Sequence, residues 1–194
     1  IYTINADGSD LKQLTSGDRQ CVFPCWSPDG RKILYRGDSN LWVMDADGSN
    51  QRLLLEHTGS GSWSPGGEKI VYVQYFTWET AIAIANADGS DPQYLTYAEY
   101  ELRVPVWSPD GKKVVYKCQP AGWGWYWIFI MDADGKNSHP LIRGSMEGGG
   151  PSWSPDGSKI VYHKDMGKDL LNLDETSLWI INADGTGDRQ LTFE

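Results

Sequence analysis

Apolar residues along this chain fall in short runs, cut at regular intervals by the same polar turns. Lys32-Ile33-Leu34-Tyr35, Lys69-Ile70-Val71-Tyr72, Lys113-Val114-Val115-Tyr116 and Lys159-Ile160-Val161-Tyr162 each follow a Trp-Ser-Pro-Asp-Gly turn, with Gly66 in place of Asp in the second copy. The tryptophans opening those turns, Trp26, Trp63, Trp107 and Trp153, lie 37, 44 and 46 residues apart. A second marker is interleaved: Asn5-Ala6-Asp7-Gly8, with counterparts ending at Gly48, Gly89, Gly135 and Gly185. Each follows an apolar run such as Leu41-Trp42-Val43-Met44 and precedes a short segment such as Leu11-Lys12-Gln13-Leu14-Thr15. Runs of this length, bounded by Gly, Pro and Asp, read as strands. Proline presets φ at the first corner of one turn, and glycine takes the left-handed position that closes both.

Four short antiparallel strands per unit at this period predict a propeller blade. In the first unit, strand a lies near 21–26, b near 31–36, c near 40–45 and d near 51–55. The predicted fold is an all-β propeller of four-stranded antiparallel blades, read as one domain. It comprises an N-terminal two-stranded c–d hairpin (1–20) and four complete blades (21–57, 58–101, 102–147, 148–194). The hairpin lacks its a and b strands, so the chain is expected to be part of a larger propeller, with the missing half following Glu194. An uncovered edge strand templates association, so self-association through the hairpin is a second way to satisfy it. A closed four-bladed ring with a surplus hairpin is the alternative. The one helix-like stretch is Lys168 to Leu173.

The four repeat tryptophans are expected to wedge between blades, because such large side chains dominate core energetics. Strands alternate in direction, so a–b and c–d turns share one face of the disc, while b–c and d–a loops share the other. From each a–b Gly to the next c–d Gly the separations are 18, 22, 24 and 28, against 22, 19, 22 and 22 in the other segments. Length variation therefore falls in the b–c loops, and loops on rigid scaffolds carry function disproportionately. Those loops hold Tyr75, Phe76 and Trp78 in the second blade and Trp123, Trp125 and Tyr126 in the third. A d–a connection adds Tyr97 and Tyr100. These eight are the candidate binding residues, since aromatics beside glycines and carboxylates suit a protein segment or a sugar. Alternatively, Trp125 and Trp127 extend strand c and pack against a neighbouring blade.

Composition narrows the partners. A net charge of −9 and a pI near 4.7 argue against nucleic acid. No run approaches the roughly 20 apolar residues of a membrane helix. Cys21, Cys25 and Cys118 are odd in number. Cys21 and Cys25 should point to the same face of one strand about 13 Å apart, too far to bridge, so free thiols are expected. The Asp-rich turns bring glycine at the fourth position, too soon for a calcium loop of the EF-hand kind. His57, His139 and His163 are scattered, so no metal and no cofactor is assigned. No Gly-x-Ser-x-Gly elbow occurs, and no catalytic residue is assigned.

The combined pattern, as in Trp153-Ser154-Pro155-Asp156-Gly157, Lys159-Ile160-Val161-Tyr162, Leu178-Trp179 to Gly185 and Gln190-Leu191-Thr192, resembles the WD-like repeats of TolB-type propellers. The likeness covers nearly the whole chain except the b–c insertions. It implies a propeller, often six-bladed, in periplasmic or secreted proteins, frequently serving as an interaction module. Similar propellers stand beside serine peptidase domains and in oligogalacturonate lyases. The expected function is a non-catalytic module that binds a protein partner through the loop-rich face. The alternatives are a carbohydrate-binding propeller stacking sugars on Trp78, Trp123, Trp125 and Tyr126, or the propeller portion of a peptidase or polysaccharide lyase.

Overall fold

A computed structural model describes residues 1–120, 126–145, 150–165 and 176–192. Their strands form one two-stranded and four four-stranded antiparallel sheets. The hairpin pairs β1 (Tyr2–Thr3) with β2 (Lys12–Gln13). The first blade is β3 (Cys21–Trp26), β4 (Lys32–Gly37), β5 (Asn40–Asp45) and β6 (Arg52–Leu55). The second is β7 (Thr58–Trp63), β8 (Lys69–Tyr75), β9 (Thr80–Asn86) and β10 (Gln93–Ala98). The third is β11 (Leu102–Trp107), β12 (Lys113–Cys118), β13 (Tyr126–Asp132) and β14 (His139–Ser145). The fourth is β15 (Ser152–Trp153), β16 (Lys159–Asp165), β17 (Thr176–Asn182) and β18 (Arg189–Gln190). In every blade the strands pair in chain order, a to d. Strand β7 lies beside both β3 and β11, so the a strands gather at the centre of the fan. The sheets do not close into a ring, as expected for part of a propeller. The helix-like stretch Lys168 to Leu173 lies outside the described residues.

Alternation along the b strands builds the core. Leu34 faces the second blade, while Ile33 and Tyr35 face the hairpin with Leu14 and Met44. Ile70 and Tyr72 face back to the first blade, and Val71 and Val73 face forward to the third. Val114 and Tyr116 face back, and Val115 packs forward against Ile160 and Tyr162. Both faces of an internal blade are thus dry, which is why these strands are apolar at consecutive positions rather than at every second one. Val161, on the face of the fourth blade turned away from the third, is only half-buried.

Three of the four repeat tryptophans wedge between blades. The Trp63 indole N–H donates to the Cys25 carbonyl at 3.3 Å, and Trp153 repeats the bond to Val106 at 3.3 Å. Trp107 takes the equivalent place against the second blade, but its buried N–H finds no partner among the described residues. Trp26 departs from expectation: it is 51% exposed. The hairpin before it has no a strand to cover the ring.

The two turn types share a face. The alanine N–H of each c–d turn reaches the a–b turn of its own blade, from Ala46 to the Arg31 carbonyl, Ala87 to Glu68, Ala133 to Lys112 and Ala183 to Ser158. Prolines Pro28, Pro65 and Pro109 each rest on the a–b glycine of the next blade. At Gly135, with φ +86°, a side chain would meet the Leu95 carbonyl at 2.6 Å, so this turn seats directly on the preceding blade. The turn carboxylates are consumed internally. Asp156, for example, accepts from the Ser154 hydroxyl at 2.6 Å and the Ser158 N–H at 3.0 Å, which holds it down to about 2.

A β-bulge between Val22 and Cys25 corrects one expectation. The extra residue turns the strand over, so Cys21 packs toward the hairpin and Cys25 toward the second blade, on opposite faces. All three cysteines are free.

The repeat tyrosines show one substitution with a visible consequence. Tyr35, Tyr116 and Tyr162 each bond a side chain at the start of their own d strand: Gln51 at 3.1 Å, Ser138 at 2.7 Å and Asp188 at 2.6 Å. In the second blade that position is Pro92, and the buried Tyr72 hydroxyl is left without a partner. Burial pushes Tyr72 up to about 12. Tyr72→Phe is therefore expected to be neutral or stabilising by up to about 1 kcal/mol, whereas Tyr116→Phe costs about 1–2 kcal/mol by breaking its bond with Ser138. Urea denaturation of the two variants checks this. In the same assay Trp63→Ala should cost about 3–5 kcal/mol, and Trp26→Ala under about 1 kcal/mol.

Candidate functional site

The loop-rich face is assembled by bonds between b–c loops and d–a connections. Tyr75 N–H donates to the His57 carbonyl at 2.8 Å, the Thr80 hydroxyl to the Tyr100 carbonyl at 2.6 Å and Gln119 N–H to the Glu101 carbonyl at 3.0 Å. The first and third hold the upper end of a b strand against the start of its own a strand, and the second ties the c strand of the second blade to the connection entering the third.

Bulges interrupt three successive a strands at the same level, between Val22 and Cys25, Thr58 and Gly61, and Arg103 and Val106. Phe23 and Val104 adopt left-handed backbone there, with φ 54° and 48°. A β-branched residue in that region is a genuine outlier, and such strain and such bulges cluster at functional sites. Ser60 and Ser62 lock the second and third a strands together: the Ser60 hydroxyl accepts from Val104 N–H at 3.1 Å, and Ser62 donates to the Pro105 carbonyl at 3.0 Å.

Phe23, Ser60 and Val104 line an axial cavity of about 200 Å³ that opens among these bulges. Arg36, Tyr75, Glu101 and Arg103 supply its polar wall. Arg103 clamps Glu101 through both carboxylate oxygens, at 2.7 and 2.9 Å, and the Tyr126 hydroxyl donates to the same carboxylate at 2.6 Å. The Tyr126 ring lies between two cations, 4.9 Å from the Arg103 guanidinium and 5.0 Å from the ammonium of the buried Lys117. Burial alone would raise the Glu101 pKa. The bonds from Arg103 and Tyr126 and the charges of Arg103 and Arg36 outweigh it and hold the carboxyl below its usual range. Tyr75 passes over Gly59, whose missing side chain leaves room for the phenol, and burial raises its pKa, so the hydroxyl stays protonated.

The candidate binding residues separate into two groups. Tyr75 and Tyr126, the latter only 2% exposed, belong to the axial cavity and its supporting wall. Phe76, Tyr97, Tyr100 and Trp78 remain exposed, Trp78 at 89%. Phe76 meets Tyr97 at 6.2 Å and also Tyr94 at 5.5 Å, and the two tyrosines are 5.8 Å apart on the outer strand β10. Tyr94 was not foreseen, because sequence alone does not show the Phe76 loop folding across to β10. Trp123 and Trp125 lie outside the described residues. Arg36, Glu101, Arg103 and Lys117 were also not foreseen; their only sequence signal is polar residues at strand ends on the loop-rich face. Among the described residues no three His, Cys, Asp or Glu side chains converge as metal ligands. His57, on the loop face, and His139, beyond a c–d turn, lie apart.

Fold and site together define an open β-propeller with a polar axial cavity on its loop-rich face. The chain matches the TolB beta propeller domain over residues 37–194 and belongs to that family. An uncharacterised Agrobacterium fabrum protein is 27% identical over 60% of this chain and 46% of its own length. Dipeptidyl-peptidase 5 of Porphyromonas endodontalis is 34% identical over 37% of this chain and 11% of its own. The Tol-Pal system protein TolB of Anaeromyxobacter dehalogenans is 31% identical over 50% of this chain and 24% of its own. The chain thus spans less than half the length of these curated relatives. Among solved structures, an Agrobacterium tumefaciens protein assigned as TolB superposes with a TM-score of 0.81 at 21% identity, covering 98% of this chain and 68% of that one. An oligogalacturonate lyase in complex with manganese gives 0.69 at 18%, over 98% and 58%. Relatives of the chain therefore include both Tol-Pal proteins and peptidases, and the fold is shared with a lyase.

The clamp on Glu101 has a pH signature. Its folded pKa is lowered, so its contribution to stability is present above about pH 4.5, the ordinary value, and is lost as the pH falls through the lower folded value. Carboxyl-detected NMR should place the Glu101 titration below that of an unpaired glutamate, and Arg103→Ala or Tyr126→Phe should each move it upward.

Proposed function

We propose that the chain is a non-catalytic interaction module that engages a protein partner through its loop-rich face, in a periplasmic or secreted setting. The observation that carries this reading is the asymmetry of the disc. One face is closed by turn-to-turn bonds and internally satisfied carboxylates. The other presents an axial cavity, and the exposed Phe76 and Trp78 stand in a loop of the second blade, with Phe76 against Tyr94 and Tyr97 of the outer strand. Exposed aromatics of this kind are the usual anchors of protein interfaces. Membership of the TolB propeller family and the matched Tol-Pal relatives favour the same reading.

A sugar ligand is the second reading, favoured by Trp78, whose largely exposed ring offers a stacking platform. The propeller portion of a peptidase or lyase is the third reading; among the described residues no three His, Cys, Asp or Glu side chains converge as metal ligands.

A photo-crosslinking amino acid placed at position 78, and separately at Pro65 on the turn face, distinguishes these. In extract from the source cells, protein adducts are expected from position 78 and not from position 65. Adducts only from position 65 would overturn the proposal. Glycan-array binding abolished by Trp78→Ala, without protein adducts, would replace it with the sugar reading.

A further inference from the structure

We propose that the axial cavity binds a carboxylate presented by an acidic segment of the partner, with Arg36 as the cation that grips it. The inference rests on the protein-partner reading and names what that partner presents. In a chain of net charge −9, a cation that lines this recess without a carboxylate partner among the described residues stands against the average charge of the chain.

The cavity wall already contains one carboxylate, and that carboxylate is saturated. Both Glu101 oxygens are held by Arg103, and one also accepts from Tyr126. Arg36 is placed differently. Its guanidinium donates to the Ser39 hydroxyl at 3.3 Å, and among the described residues no carboxylate lies within ion-pair distance of it. Its charge reaches Glu101 and Tyr75, favouring the ionised form of each.

Hydroxyl donors share the recess with this guanidinium. The Tyr75 hydroxyl has no hydrogen-bond partner among the described residues, and the Ser60 hydroxyl, which accepts from Val104 N–H, keeps its proton to donate. A planar guanidinium with flanking hydroxyl donors matches the fork of a carboxylate. Of the two cations lining the cavity, Arg103 is paired with Glu101 and Arg36 with no carboxylate among the described residues, which suits a monoanion. At about 200 Å³ the cavity admits one side chain or chain end; it is smaller than the roughly 300–1,000 Å³ of ordinary small-molecule sites. A carboxylate on a protein segment fits.

The test is an NMR titration of the full chain with three tripeptides. They are acetyl-Gly-Glu-Gly-amide, the neutral acetyl-Gly-Gln-Gly-amide, and acetyl-Gly-Gln-Gly with a free carboxyl end. Carboxylate peptides are expected to shift the amides of Arg36, Ser60 and Val104, while the neutral peptide does not. Binding of the first identifies a side chain as the source, and binding of the third a chain terminus. Arg36→Gln should weaken binding at least tenfold and Tyr75→Phe several-fold, with Arg36→Lys intermediate and melting curves matched. Equal binding of the neutral peptide, unchanged binding in a folded Arg36→Gln chain, inorganic phosphate bound as tightly, or no shifts with any peptide would each overturn the inference. If the peptides fail while crosslinking from position 78 persists, the carboxylate site falls and the partner reading stands. If they bind while crosslinking fails, the reverse holds.

Discussion

Each blade carries two apolar faces, and a four-stranded sheet cannot cover either of them itself. Leu34 needs the second blade, Tyr72 needs the first, and Val115 needs the fourth. The interior is consequently a row of separate clusters between successive sheets, rather than one centre, and stability accrues as neighbour terms along the row. The same residue type then has different worth by position. Trp63 is buried at 8% and hydrogen-bonded to the blade before it, while Trp26, which opens the matching turn of the first blade, stands half in solvent.

That stacking requirement explains why one face of the disc is uniform. The prolines of the first three a–b turns each rest on the next, and the c–d turns bond to the a–b turns, so a change of length on this face would break contacts in two blades at once. The loop-rich face is joined more loosely, by individual bonds such as Thr80 to Tyr100, and accepts insertions. Regularity below and variation above are two consequences of one packing scheme.

The inner strands serve both demands. They must bring their Trp ends into the inter-blade seams and yet open at the top, and the bulges reconcile these. At Phe23, Ser60 and Val104 the strand leaves its register and the chain recedes into a cavity. Strain at Val104 is held by the Ser60 hydroxyl, so the distortion belongs to a bonded arrangement. A shared propeller does not imply a shared activity, and the Tol-Pal proteins, peptidases and lyase that resemble this chain illustrate it.

The strand order, the blade period, the hairpin of half a blade and the pairing of the two turn faces were all legible in the sequence. Each follows from local chemistry: Pro and Gly at turn corners, and apolar runs of strand length. The tertiary structure alone decided which aromatics are exposed. Tyr126 reads as part of a loop yet is buried against Glu101, while Tyr94 reads as an ordinary strand residue yet joins Phe76 on the outside. The bulge that sends Cys21 and Cys25 to opposite faces, and the meeting of Arg36, Tyr75 and Glu101, were likewise hidden. These depend on a one-residue slip in register and on contacts between residues tens of positions apart, neither of which leaves a periodic trace in the chain.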